Sequence, residues 1–163
     1  MLSEAERVAL RISWSNDFDD MYAVGADIYT EIFRAQPDLP KIFTYLKEYK
    51  VDEEGWKGSK KFRTQALRFV QSLDRCVSFL PAGEMREAEL DAFLLDLGRR
   101  HKAFAERGFH AELLNCVEES IIIVLQRRID TLHLSPHTAA VAIQAWQKLA
   151  NRIVLRMQQG FLE

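Results

Sequence analysis

An excess of positive charge is missing from this chain. Across 163 residues, 22 Lys and Arg stand against 24 Asp and Glu, for a formal net charge of -2, and the two signs are interspersed. Nucleic-acid faces and polybasic membrane anchors need clustered cations, so neither is expected. No run of about 20 apolar residues occurs, which excludes a membrane-spanning helix. The opening residues Met1 to Glu6 start acidic and lack the apolar core of a signal peptide, so a cytoplasmic location is expected. Cysteine is scarce. Cys76 and Cys116 both lie in apolar helical patterns without metal-ligand spacing, and they read as buried free thiols rather than a disulfide or a metal pair. Repeats and low-complexity segments are absent. Strand signals are nearly so, because the β-branched run Ile121-Ile122-Ile123-Val124 sits inside a longer 3.6-residue pattern.

What is present is apolar periodicity, in a chain that is 48% hydrophobic and long enough for one domain over residues 1–163 with a sizeable core. A first helix starts at Ser3, with Glu6 completing a capping box; Val8 and Ile12, and Leu10 and Trp14, are spaced to face a core. A second helix spans about Asp19 to Gln36. Pro37 and Pro40 forbid its continuation and favour a short, tight helical turn up to Phe43. Lys47 to Gly58 reads as a loop. Further helices are predicted over about Ser59 to Leu80, ended by Pro81-Ala82-Gly83, then Glu87 to Lys102, His110 to Ile129, and from Ser135-Pro136 to near Gly160. The expected fold is all-α, with six long helices plus a short one.

Five blocks occur in order on these helices: Trp14; Gly25 to Phe33 with Pro37 and Phe43; Phe62-Arg63-Thr64-Gln65-Ala66; Leu97-Gly98-Arg99-Arg100-His101; and Ala145-Trp146-Gln147-Lys148-Leu149. Together they resemble the globin family over nearly the whole chain, and the Tyr29 and Gln65 pair is similar to the distal pair of nematode globins. The resemblance implies a helix sandwich whose pairs cross at about 50° around a haem. No Cys-x-x-Cys-His is present, so haem b would be held without a covalent link.

The resemblance also assigns residues. His101 matches the proximal iron ligand, with Nε2 on the metal and Nδ1–H on an acceptor such as a carbonyl one turn back. Phe43 matches the phenylalanine that wedges the porphyrin, and Phe33 and Leu97 would pack near or under it. Gln65 takes the distal position, and Tyr29 presents its hydroxyl to the same space. Sliding the distal helix by seven residues would instead put Ser72 there and Cys76 against the ligand, at the cost of the match around Gln65. Phe69 stands where the family commonly has a smaller aliphatic residue, which should narrow the ligand space. Arg68, and after it Arg100, would meet haem propionates. Trp14 and Trp146 are packing residues.

The function implied is reversible binding of O₂, and of CO or NO, at ferrous iron, for storage, scavenging or sensing, with no catalytic residue assigned. Hydrogen bonds to a charged acceptor contribute about 1.5–3 kcal/mol and each ~1.4 kcal/mol is tenfold, so two donors would hold O₂ about a hundredfold or more tighter than an apolar pocket. The alternative is redox chemistry: electron transfer, NO dioxygenation, nitrite reduction or peroxidase-like turnover, which would need a separate electron donor such as a reductase. A third reading is a haem-free sensor module. Globins often pair, which leaves a homodimer open.

Overall fold

The computed structural model describes residues 1–46, 55–80 and 86–163. Among them the only regular structure is helical. Six α-helices follow one another: α1 (Glu4–Ser13), α2 (Phe18–Ala35), α3 (Lys60–Ser78), α4 (Glu87–His101), α5 (Leu113–Thr131) and α6 (Pro136–Leu162). Short 3-10 turns cover Leu39–Ile42, Thr44–Leu46, Gly55–Gly58 and Lys102–Arg107. The all-α fold with six long helices is therefore as the periodicity predicts. The stretch read as a short helix is a pair of 3-10 turns that pass through Phe43. Residues 47–54 of the expected loop and the Pro81-Ala82-Gly83 turn lie outside the described residues.

The helix starts follow from local chemistry. Ser3 Oγ accepts from the Glu6 amide at 3.2 Å while Glu6 Oε2 accepts from the Ser3 amide at 2.8 Å, the reciprocal capping box. Asp17, Ser59 and Ser135 cap α2, α3 and α6 through their side chains, satisfying amides that have no partner inside the helix. One expectation for α1 fails. Leu10 and Trp14 are buried, but Val8 is 40% and Ile12 is 53% exposed. Residues two apart on a helix point to roughly opposite sides, so both pairs cannot face one core.

Two helices organise the rest. α6 packs against α1, α4 and α5, while α2 packs against α3 and α5. Trp14 and Trp146 join these layers, with ring centroids 5.4 Å apart. Trp146 Nε1 donates to Ser13 Oγ at 2.9 Å, and Trp14 Nε1 donates to Asp74 at 2.8 Å. By contrast the backbones of α3 and α4, though successive in the chain, scarcely approach each other, and Arg75 reaches across to lie over the Phe93 ring. The space between them is where the site lies.

Two close helix crossings fix the walls of that space. At Gly25 on α2, a Cβ would overlap Val70 and stand 3.0 Å from the Ala66 carbonyl oxygen of α3. Only a hydrogen there lets the two helices meet this closely. At Gly98 on α4, a Cβ would run into the Met157 backbone, and at Gly160 on α6 into the Leu95 backbone. These two glycines lock α4 to α6 reciprocally.

Candidate functional site

The crossing at Gly25 sets the first pair of side chains. Tyr29 follows Gly25 by one turn, and Gln65 precedes Ala66 by one residue, so the contact brings them face to face. Gln65 Nε2 donates to the Tyr29 hydroxyl at 3.0 Å. Tyr29 is buried and its ring is boxed by Phe33, Phe43, Phe62 and Phe69 at centroid distances of 5.6, 6.1, 5.6 and 5.4 Å. Edge-on contacts of this kind favour one ring orientation. Phe69 thus packs on the phenol without displacing it from Gln65.

His101 ends α4 on the other side. Its Nδ1 lies 2.8 Å from the Leu97 carbonyl one turn back. That acceptor calls for a proton on Nδ1 and leaves Nε2 with its lone pair. Burial pulls the imidazole pKa below its ordinary value, and the Leu97 contact opposes this only in part. The ring is therefore neutral at pH 7, the form that binds a metal.

Between these groups lies a cavity of about 480 Å³, within the ~300–1,000 Å³ range of small-molecule and cofactor sites. Tyr29, Phe43, Gln65, Arg68, Phe69, Leu97, Arg100 and His101 all line it. Phe33 does not: it stands one layer behind, fully buried against Tyr29, Phe43 and Trp56. Ser72 and Cys76 also line the cavity along α3, but Gln65 is the side chain that reaches Tyr29. Burial pushes the Cys76 thiol up to about 12, so it stays protonated. Both cysteines are buried and free.

Some of the lining escapes the sequence pattern. Phe104, Arg107 and Phe109 come from the segment after His101, and Val117 and Ile121 from α5. Trp56, which backs the site without lining the cavity, escapes it too. It lies in the stretch read as a loop, yet it is buried and packs on Phe33 and Phe62, with centroids 5.0 and 4.5 Å away. The guanidiniums differ in state: Arg100 is paired with Asp96 at 2.5 Å, whereas among the described residues no ion pair engages Arg68 or Arg107. A half-buried imidazole faces a phenol and an amide across an apolar slot, with cations at its rim. That donor set fits an iron porphyrin, which needs one nitrogen ligand, flat apolar walls and a place for two carboxylates.

The family model for globins matches residues 26–157. This chain is a globin. Neuroglobin of Chaenocephalus aceratus is 26% identical over 160 residues, 98% of this chain and 92% of that protein. Among solved structures, a hexacoordinated haem protein from an anhydrobiotic tardigrade superposes with a TM-score of 0.82 at 18% identity, covering 99% of this globin and 96% of that chain. The Drosophila melanogaster globin superposes with a TM-score of 0.77 at 21% identity, covering 97% and 94%. As a globin the chain binds haem and diatomic gases such as O₂. No helix among the described residues is long and apolar enough to cross a membrane.

Proposed function

We infer that this globin binds O₂ reversibly through a non-covalent haem b, with His101 as the protein's iron ligand and Tyr29 and Gln65 as donors to the gas. The observation that carries the reading is the arrangement of the three side chains around one cavity: a neutral imidazole oriented by Leu97 on one wall, and a linked phenol and amide on the other. A ferrous haem held there would supply the metal at which a diatomic gas binds and leaves. The chain's part is to hold the iron, exclude water and offer protons.

Gln65 donates to the Tyr29 oxygen, and a hydroxyl that accepts one hydrogen bond is still chemically able to donate one. The other amide hydrogen of Gln65 is a second donor. Unlike an imidazole, an amide is a poor iron ligand, so Gln65 supports gas binding without competing for the metal. In this respect the pocket is like that of nematode globins. Arg68 and Arg107 are suited to the haem carboxylates, and Arg100 less so while it serves Asp96. Phe43 and Leu97, both lining the cavity, would pack against the porphyrin.

The test is the absorption spectrum of the purified protein. A high-spin, five-coordinate ferrous spectrum that changes reversibly with O₂ supports the reading. A low-spin, six-coordinate ferrous spectrum refutes it in favour of redox chemistry with an external reductase. Absence of a Soret band after haem addition selects the haem-free sensor. His101→Ala should lose the pigment on gel filtration; retention with an unchanged spectrum overturns the ligand assignment.

A further inference from the structure

The imidazole of His101 is steered by more than its hydrogen bond. Phe109 lies 5.5 Å from it, with the ring planes 49° apart, and Phe161 lies 5.5 Å from Phe109. The three rings follow one another from the cavity to the last turn of α6. Phe104 touches the imidazole from a third direction, at 5.7 Å, but is 37% exposed and carries Arg107 over its face.

Phe109 is itself fixed by the chain. Gly108 adopts φ +95°, a left-handed conformation that turns the backbone back after the 3-10 segment. The Phe109 amide then donates to the Phe104 carbonyl at 3.2 Å. Phe161 is held just as firmly. It follows Gly160, whose backbone abuts Leu95, and it precedes Glu163, whose carboxylate takes Arg99 of α4. The outermost ring is thus anchored on the helix that carries His101.

We propose that Phe109 is a positioning residue for His101, and that Phe161 is its buttress. The hydrogen bond to Leu97 restrains rotation about the Cβ–Cγ bond only within the angular tolerance of one hydrogen bond, and the plane of the ring can still swing within it. An aromatic wall at 5.5 Å, backed by a second ring, blocks that rotation on one side. The plane of the imidazole relative to the porphyrin is then set from α6. The proposal rests on the haem reading of His101 given above.

The experiment is resonance Raman spectroscopy of the deoxy-ferrous holoprotein, read at the iron–histidine stretch. Phe109→Ala should shift and broaden this band, Phe109→Leu should restore most of its position and width, and Phe161→Ala should shift it in the same direction as Phe109→Ala but less. Thermal melts of the same samples separate a local effect from general loosening. A band in Phe109→Ala that matches the unmodified protein overturns the proposal and leaves the haem reading intact. If Phe109→Ala does not retain haem, Phe161→Ala decides alone: a shifted band supports the proposal and an unchanged one overturns it. Absence of any iron–histidine band in the unmodified protein overturns the haem reading, and the proposal with it.

Discussion

The Tyr29 hydroxyl accepts from Gln65 and carries a proton of its own, and the two together set what its removal does. In Tyr29→Phe the ring keeps its four aromatic neighbours, while the cavity loses the proton and Gln65 loses its acceptor. One hydrogen bond to a charged acceptor is worth about 1.5–3 kcal/mol, so O₂ release by stopped flow should accelerate about tenfold or more. An unchanged rate would show that the phenol serves the fold alone. Phe69→Ile tests the narrow side of the pocket. Removing a ring that packs on Tyr29 enlarges the space beside the ligand, so CO association after flash photolysis should become faster, with stability reduced by about 1–3 kcal/mol. Sequence alone reaches Tyr29, Gln65 and His101 because family blocks flank each of them. It does not reach Phe109 or Arg107, which lie after the last helical turn of α4 and belong to no apolar period. Nor does it separate Phe33 from the cavity wall, since the burial of Phe33 depends on Trp56, a residue in a charged stretch with no pattern of its own.

At the scale of helices, the decisive contacts are made by residues with almost no side chain. Gly98 permits the α4–α6 contact that sets where His101 stands, three residues further on. A methyl group there meets backbone, which cannot rotate aside. Gly98→Ala should therefore cost about 1–3 kcal/mol or more in urea unfolding and weaken haem retention, measured by transfer to apomyoglobin. Equal stability and equal transfer rates would mean that the two helices part without consequence. Helix starts are the most legible feature of the chain, because Ser3, Ser59 and Ser135 declare them through local hydrogen bonds. Which face of a short helix turns inward is less legible. For α1 the choice between Val8 with Ile12 and Leu10 with Trp14 is made by distant partners, Asp74 and Trp146.

Across the whole molecule, half-buried ion pairs tie helices distant in sequence. Asp20 accepts from Arg128 at 2.6 Å, joining α2 to α5, and Arg128 also donates to the Ser13 carbonyl at 3.1 Å. Asp91 on α4 is taken by Arg152 and Arg156 of α6 at 2.7 and 3.0 Å. The Arg128 hydrogen bond holds the Asp20 carboxyl below its ordinary value. For Asp91, burial pushes upward but the two guanidiniums outweigh it, again lowering the value. A carboxyl with a depressed folded-state pKa contributes stability above its unfolded value, about 3.9, and loses that contribution as pH falls through the folded one. Unfolding free energy should accordingly decline on acidification below about pH 4. Asp20→Asn should reduce stability at pH 7 by no more than about 1 kcal/mol, the pair being partly exposed, and flatten the acid limb. An acid limb identical to that of the unmodified protein would assign the acid sensitivity to other groups.

The paired glycines of α4 and α6 also decide where motion has to go. His101 stands at the join between a clamped bar and an exposed one: upstream, Leu95 and Gly98 interlock with α6, while downstream no residue of Lys102–Arg107 is buried. A pull on the imidazole from a bound metal would meet those backbone contacts upstream, so the displacement would be taken up beyond the fulcrum, in the exposed 3-10 segment that follows. Gas arrival would then be felt at the protein surface near Arg107, with the helical frame left standing.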